Sequence, residues 1–377
     1  MGSLYGHPVA AYRAQIELKN CLLRDGLFVQ ADHDSCLFIM KHKTERFWIA
    51  THVDDMPSSG TTGGRKLAEA RLKERFEITA DYDPKVILGV QLERNREKRT
   101  MKCHQGDYTK AMLRKYDMTT CNPRDTPLEA NVMAQIREML IKGITGEQGK
   151  EKEFQTFEGE IMWLYRSRPD LHFLIGLFAR FVRSAGETQM RWTKQLLRYL
   201  AHDPEKGIIL APGSKLYLHG GSDADWGGDE ISQKSTSGDY LSLGTLGVIV
   251  CSSKLQRKVA DSSTCAETYA AHELVRKTIE VEGKLREMGF NVPLPVKLKQ
   301  DNDSVIKMGK NPIAHAGSKH YRIPQAFIRG AVDDGLVEFE EVSSAGNPAD
   351  VFTKPSTRSK FHHDCDQLMG VQGPPRR

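Results

Sequence analysis

The chain has 377 residues, 39% hydrophobic and 27% charged, with 54 basic against 49 acidic side chains and a formal net charge of +5. That length supports a sizeable core and two or three domains, and the composition is that of a soluble globular protein rather than a low-complexity chain. A pI near 8.7 suits a polyanionic partner without requiring one.

An amphipathic helix is predicted over about 9–24, then two strand-like runs, 36–41 and 46–53, with 42–45 as their hairpin turn. The hairpin ends in Asp54 and Asp55, and two adjacent acids at such a tip are by themselves a turn. Pro57 follows, where it should interrupt a returning strand. Residues 130–153, rich in Lys, Glu, Gln and Gly, read as a linker. From 154 to 210 the pattern is helical, with Arg166 to Asp170 breaking two helices and a further helix over 191–202. The longest apolar run, 171–182, is interrupted by His172, Gly176 and Arg180, so no membrane span is expected. Alternation at Leu216 and Leu218 marks a strand leading into a Gly-rich acidic turn, with Asp223 and Asp225 where that strand would end. Strands are expected at 240–243 and 247–252 around Gly244 and Thr245, then a helix over 263–288 with its cap at 262–264. A strand through Val296 and Leu298 runs into Asp301, and another covers 336–342. Asn347 and Pro348 open a last short helix with Asp350 in its first turn, and the tail, 357–377, reads as a frayed end. Seven scattered cysteines show no CxxC pair, and no signal peptide is evident, which fits reduced thiols in the cytoplasm or nucleus.

Asp223, Glu267, Asp301 and Asp350 each have a separate element to hold them. Packed together, four carboxylates repel and raise one another's pKa unless cations neutralise them. Oxygen-only ligands suit Mg²⁺ or Mn²⁺, and two such ions roughly 4 Å apart support phosphodiester cleavage. Four unrelated surface acids would leave the same spacing in a sequence.

The segments SDADW (222–226), KSTSG (234–238), SSK (252–254), SSTCAETYAA (262–271), QDNDSVI (300–306), KH (319–320), FIRG (327–330) and NPADVFTKP (347–355) occur in that order. Together they resemble the ribonuclease H domain that closes the Pol polyprotein of copia-type LTR retrotransposons. Upstream, LYG (4–6), DGLFVQADHDSCLFI (25–39), RLKERFEIT (71–79), ILGVQLER (87–94), YTKAMLRKYDM (108–118) and CNPRDTPLE (121–129) resemble the palm and thumb of the reverse transcriptase of that family. The resemblance departs at Cys265, where the family has Glu, and at Cys251, where a Trp is frequent.

The resemblance implies an α/β chain. A partial α+β palm and thumb would occupy 1–130, a linker 131–153 and a helical connection 154–213. A ribonuclease H-like mixed five-stranded sheet with helices would occupy 214–356, and a flexible tail 357–377. It implies that Asp223, Glu267, Asp301 and Asp350 are catalytic and hold two Mg²⁺ (or Mn²⁺) ions, and that Asp54 and Asp55 are palm metal ligands. His315 and His320 become candidates for proton transfer to the leaving group. Lys254, Lys258, Lys319 and Arg329 become candidates for the nucleic-acid backbone. The implied reaction is hydrolysis of RNA in an RNA–DNA hybrid, with other Pol- or Gag-derived chains as possible partners. Autonomous DNA synthesis is not expected, because the family palm uses a further Asp from an earlier strand. Two other readings stand beside this one: an inactive nucleic-acid-binding relic, or a stretch of a longer active polymerase.

Overall fold

The computed structural model describes residues 8–128, 130–142, 149–211, 216–229, 232–245, 247–310 and 321–371. The chain divides into two compact units: Met1–Leu88 with Ile279–Val292, and Gly89–Thr278 with Pro293–Arg377.

In the first unit, α1 (Pro8–Leu23) precedes an antiparallel meander of β1 (Phe28–Gln30), β2 (Leu37–Met40), β3 (Phe47–Ala50) and β4 (Ser58–Gly60). α2 (Thr62–Lys73) follows, opened by Thr61, whose hydroxyl accepts from the Gly64 amide; β5 (Val86–Ile87) comes last. Leu22, Phe28, Phe38, Phe47, Ile49, Ala68 and Leu72 form the core between sheet and helices. The expected hairpin is present, with Leu37 opposite Ala50 and Ile39 opposite Trp48. Trp48 stacks on Phe290 at 5.3 Å, and its indole N–H donates to the Met288 carbonyl at 3.1 Å. Pro57 does not interrupt the ladder. Proline removes a donor but keeps its acceptor: its carbonyl accepts from the Ala50 amide at 2.9 Å, and β4 pairs with β3 immediately after it.

The second unit begins with the hairpin β6 (Val90–Asn95) and β7 (Thr100–His104), then α3 (Gly106–Lys115). The 130–153 stretch is not a bare linker. It contains α4 (Ala130–Lys142) and the start of α5 (Glu151–Trp163), because Val132 and Ile136 lie one helical turn apart and bury together. They pack with Phe154, Phe157 and Ile161 of α5, α6 (His172–Phe178) and α7 (Glu187–His202) in one cluster centred on Phe178, Trp192 and Leu196. Residues 207–210 are not helical. They form β8 (Gly207–Leu210), a third strand beside β7, as four residues of Gly-Ile-Ile-Leu carry no helical stripe of their own.

The break at 166–170 is a buried ion pair. The Arg168 guanidinium meets the Asp170 carboxylate twice, at 3.0 and 2.8 Å, and the Tyr199 hydroxyl donates to the same carboxylate. Burial works against that carboxylate, but Arg168 and Lys206 outweigh it and hold its pKa far below the usual range. Arg168 is 1% exposed and contacts no phosphate from there; Arg166 lies over the Trp163 ring.

The remaining sheet has the order β11-β10-β9-β12-β13: β9 (Leu218–Asp229), β10 (Lys234–Leu243), β11 (Val248–Leu255), β12 (Val296–Gln300) and β13 (Val337–Glu341). β9, β10 and β11 are antiparallel, and β12 runs parallel to both β9 and β13. The acidic Gly-rich segment expected as a turn is the body of β9. Asp223 and Asp225 sit within the strand, opposite Gly238 and Thr236 of β10. Helices α8 (Ser263–Glu287), α9 (Asp303–Lys310) and α10 (Arg322–Asp333) connect the strands, and a 3-10 turn covers Pro348–Phe352. The tail is likewise ordered as a helix, α11 (Arg358–Met369), opened by the Thr357 hydroxyl and closed by Gly370 in a left-handed conformation. Its Cys365 and Leu368 pack with Tyr240, Val248 and Phe352, so the polar sequence hides one narrow apolar side.

Candidate metal centre

The pairing of β12 with β9 ends at Gly221, while β9 runs on to Asp229. This leaves a notch at the carboxyl end of β12, with unpaired backbone groups of β9 on one wall. Two side chains fill those bonds. The Asn347 amide donates to the Ser222 carbonyl at 2.8 Å, and Glu267 Oε1 accepts from the Ala224 amide at 3.2 Å. Each bond pins an acid-bearing segment to the strand that carries Asp223.

Asp301 follows β12 directly, and its backbone is fixed by the buried Gln300, whose Oε1 accepts from the Asp301 and Asn302 amides at 2.9 and 3.2 Å. Asp350 arrives on the 3-10 turn after Asn347 and Pro348, with the Asn347 side chain accepting from the Ala349 amide. Gly238 makes room for that turn. A Cβ there would lie 2.6 Å from Phe352 Cβ and 3.0 Å from the Ala349 carbonyl oxygen.

Asp223, Glu267 and Asp301 each offer an oxygen within 4.8 Å of the others, the one grouping of this kind among the described residues. Asp223 and Glu267 are buried and Asp301 is half-buried. Glu267 Oε2 and Asp301 Oδ1 are buried without a hydrogen-bond donor. Asp350 lies alongside but is paired differently, with Oδ1 2.8 Å from Lys354 Nζ and Oδ2 3.4 Å from Lys360 Nζ. Lys354 Nζ also lies 3.5 Å from Asp223 Oδ2, which accepts a hydrogen bond from the Thr353 hydroxyl.

Burial pushes the Asp223 carboxyl up to about 6, with Asp350 and Asp301 adding to it while Lys354 and Thr353 oppose it. Burial, then Asp223 and Asp301, raise Glu267 well above the ordinary carboxylate range. Lys354 loses hydration too, yet Asp223 and Asp350 outweigh this and hold its ammonium charged. Four carboxylates against two ammonium groups, one of them shared with Asp364, leave excess negative charge for a cation to neutralise. Donor-free carboxylate oxygens converging from three elements fit a hard divalent cation.

The other candidates lie elsewhere. Asp54 and Asp55 are exposed on a turn of the first unit, where His52 and Asp55 bridge. Lys254 and Lys258 are exposed and line a cavity of about 500 Å³ with Arg257, Arg276 and Lys277. Arg329 is half-buried on α10, with Nε lacking an acceptor. His315, Lys319 and His320 lie outside the described residues. Sequence reasoning missed Thr353, Lys354 and Lys360. The first two stand in the TKP motif beside Asp350, whereas Lys360 carries no local signal.

This strand order, with Asp223 within the central strand β9 and Asp301 directly after its parallel neighbour β12, is that of a ribonuclease H-like domain. No protein-family model matches the sequence. The chain is 30% identical over 376 residues to the retrovirus-related Pol polyprotein from transposon RE1 of Arabidopsis thaliana, covering 99% of this chain and 25% of that protein. It is 29% identical over 375 residues to the corresponding polyprotein from transposon TNT 1-94 of Nicotiana tabacum, covering 98% of this chain and 28% of that one. An RNase H1 isolated from compost aligns with 36% of this chain and 92% of its own at 13% identity and a TM-score of 0.30, too distant to bear on function. Over nearly its whole length the chain is similar to copia-type retrovirus-related Pol polyproteins. It covers about a quarter of the length of those relatives.

Proposed function

We propose that the chain hydrolyses the RNA strand of RNA–DNA hybrids, using Mg²⁺ or Mn²⁺ held by Asp223, Glu267 and Asp301, with Asp350 as the fourth acid. The observation that carries this reading is the convergence of three carboxylates from β9, α8 and the end of β12 within 4.8 Å. Bound divalent ions would supply an activated water and charge stabilisation at the leaving oxygen of a phosphodiester. The chain's own residues hold that arrangement in place. Gln300 orients Asp301, the Ala224 amide fixes Glu267, and Thr353 fixes Asp223. Recognition of a hybrid would rest on groove shape and 2′-hydroxyl contacts, with Lys254 and Lys258 on the phosphate backbone.

The same reading assigns 1–130 to palm and thumb, 154–213 to the connection and 214–356 to the nuclease, to which the 358–369 helix is added. It places the protein in the cytoplasm or nucleus, in keeping with seven free cysteines, and allows other Pol- or Gag-derived chains as partners. Asp54 and Asp55 are given no polymerase role, since no third carboxylate groups with them among the described residues.

The test is cleavage of a labelled RNA–DNA hybrid by the full chain with Mg²⁺ or Mn²⁺. Cutting of the RNA strand, abolished in Asp301→Asn, is expected. Salt-sensitive binding with no cleavage under either metal would leave only a nucleic-acid-binding remnant.

A further inference from the structure

Asp350 is the acid that stands apart from the three-carboxylate group, and the reason is visible in its partners. Its two oxygens form ion pairs with Lys354 at 2.8 Å and Lys360 at 3.4 Å. The Lys354 ammonium also reaches Asp223 Oδ2 at 3.5 Å, so one positive charge bridges the same two carboxylates that a second divalent ion would have to share.

The two lysines differ in how firmly they are held. Lys360 projects from α11 and lies close to the Asp364 carboxylate at 2.9 Å, the Ala345 carbonyl at 2.9 Å and the Asn347 carbonyl at 3.4 Å as well as Asp350. It is a fixed prop. Lys354 contacts only the two acids among the ion pairs and hydrogen bonds found for it, and its side chain is 37% exposed. Its flexible stem can swing toward water without disturbing the core. An ammonium and a divalent cation cannot occupy one gap between two carboxylates, because like charges at that range in a half-buried site repel strongly.

We infer that Lys354 is a resident cation standing in for the second metal ion. In the resting protein the centre takes up one divalent ion at Asp223, Glu267 and Asp301. A second ion binds only by displacing Lys354 from between Asp223 and Asp350. This rests on the metal-centre reading given above and deepens it. Lys354 is a positioning residue, and its effect is on ion stoichiometry rather than on the reacting atoms.

The experiment is a Mn²⁺ titration of the full chain, without nucleic acid, followed by calorimetry and by the electron paramagnetic resonance of free Mn²⁺. Wild type should bind one ion, with a second at least about tenfold weaker. Lys354→Met should tighten the second site by about tenfold or more and shift the first by less than about threefold, whereas Lys354→Arg should keep the wild-type pattern. Metal-free Lys354→Met should also melt lower than wild type and gain more from added Mn²⁺, which reports on folding and binding together. Two equivalent ions in wild type, or an unchanged second site in Lys354→Met with the first intact, would overturn the inference and leave the metal centre standing. No Mn²⁺ bound by wild type or Lys354→Met up to about 10 mM would overturn both.

Discussion

Glu158 sits on α5 with both carboxylate oxygens buried and no donor to either. Burial alone holds its carboxyl up at about 8, so at neutral pH the folded protein keeps it protonated. The unfolded chain gives up that proton near the ordinary carboxylate pKa of about 4.3. Between those two values the folded state binds the extra proton, so this group's stabilisation is complete at the acid end and lost as pH rises toward 8. Glu158→Gln should therefore remove a falling component of stability across that window. Urea melts of both proteins from about pH 5 to about pH 8.5 should show the variant gaining on wild type as pH rises, and parallel profiles would refute the assignment. Arg168 and Asp170 show the contrasting case, in which a buried carboxylate stays charged because its partner is bidentate and a tyrosine hydroxyl also donates to it. In the sequence both look like surface arginine chemistry at a helix break, because the partner Tyr199 is supplied by a helix nearly thirty residues away.

Among the elements, the 3-10 turn Pro348–Phe352 depends on one missing side chain across the sheet. Gly238→Ala would drive a methyl group into Phe352 and the Ala349 carbonyl. The turn must then lift, taking Asp350 and Thr353 away from Asp223, at a cost of about 1–3 kcal/mol. Hybrid cleavage and Mn²⁺ affinity should both fall in that variant while its far-ultraviolet circular dichroism stays native, and unchanged metal affinity would show that the turn tolerates the methyl. The elements also mark where the sequence was readable. The β2–β3 hairpin joins two short apolar runs across a polar turn, α8 opens at a run of Ser and Thr, and Asn347-Pro348 is a strong local start signal. β9 was hidden because glycine and aspartate are poor strand formers. It persists through pairing with β10 from Leu218 to Asp229 and with β12 as far as Gly221, a tertiary effect that no local pattern carries. α4 and α11 were hidden for a related reason. Each buries a narrow apolar edge within a mostly polar sequence, so composition pointed to solvent while Ile136 and Leu368 are in fact enclosed.

Across the whole molecule, the charge excess is modest at +5, yet five basic residues gather at the cavity lined by Lys254, Arg257, Lys258, Arg276 and Lys277. Asp239 already neutralises Lys277, and Glu273 pairs with Arg276, which leaves Lys254, Arg257 and Lys258 as the better placed contacts for a phosphate backbone. Hybrid affinity should fall with rising salt, and Lys254→Ala or Lys258→Ala should each lower the steepness of that dependence by about one counterion. A slope unchanged by either substitution would move the nucleic-acid path to another face. The order of motifs made the Pol resemblance and the clustered acids legible over most of the chain. What it could not supply was their pairing state, since Asp350 and Asp301 look alike as letters while lysines pair with the first and the second joins the three-carboxylate group.

The α11 helix carries a practical lesson for anyone excising the five-stranded domain. The last recognisable motif ends at Pro355, which invites a stop codon there. Such a cut would amputate Lys360, strip the cover from Tyr240 and Val248, and bare the underside of the sheet. A silent fragment ending at that point would then be testimony about the scissors rather than about the protein.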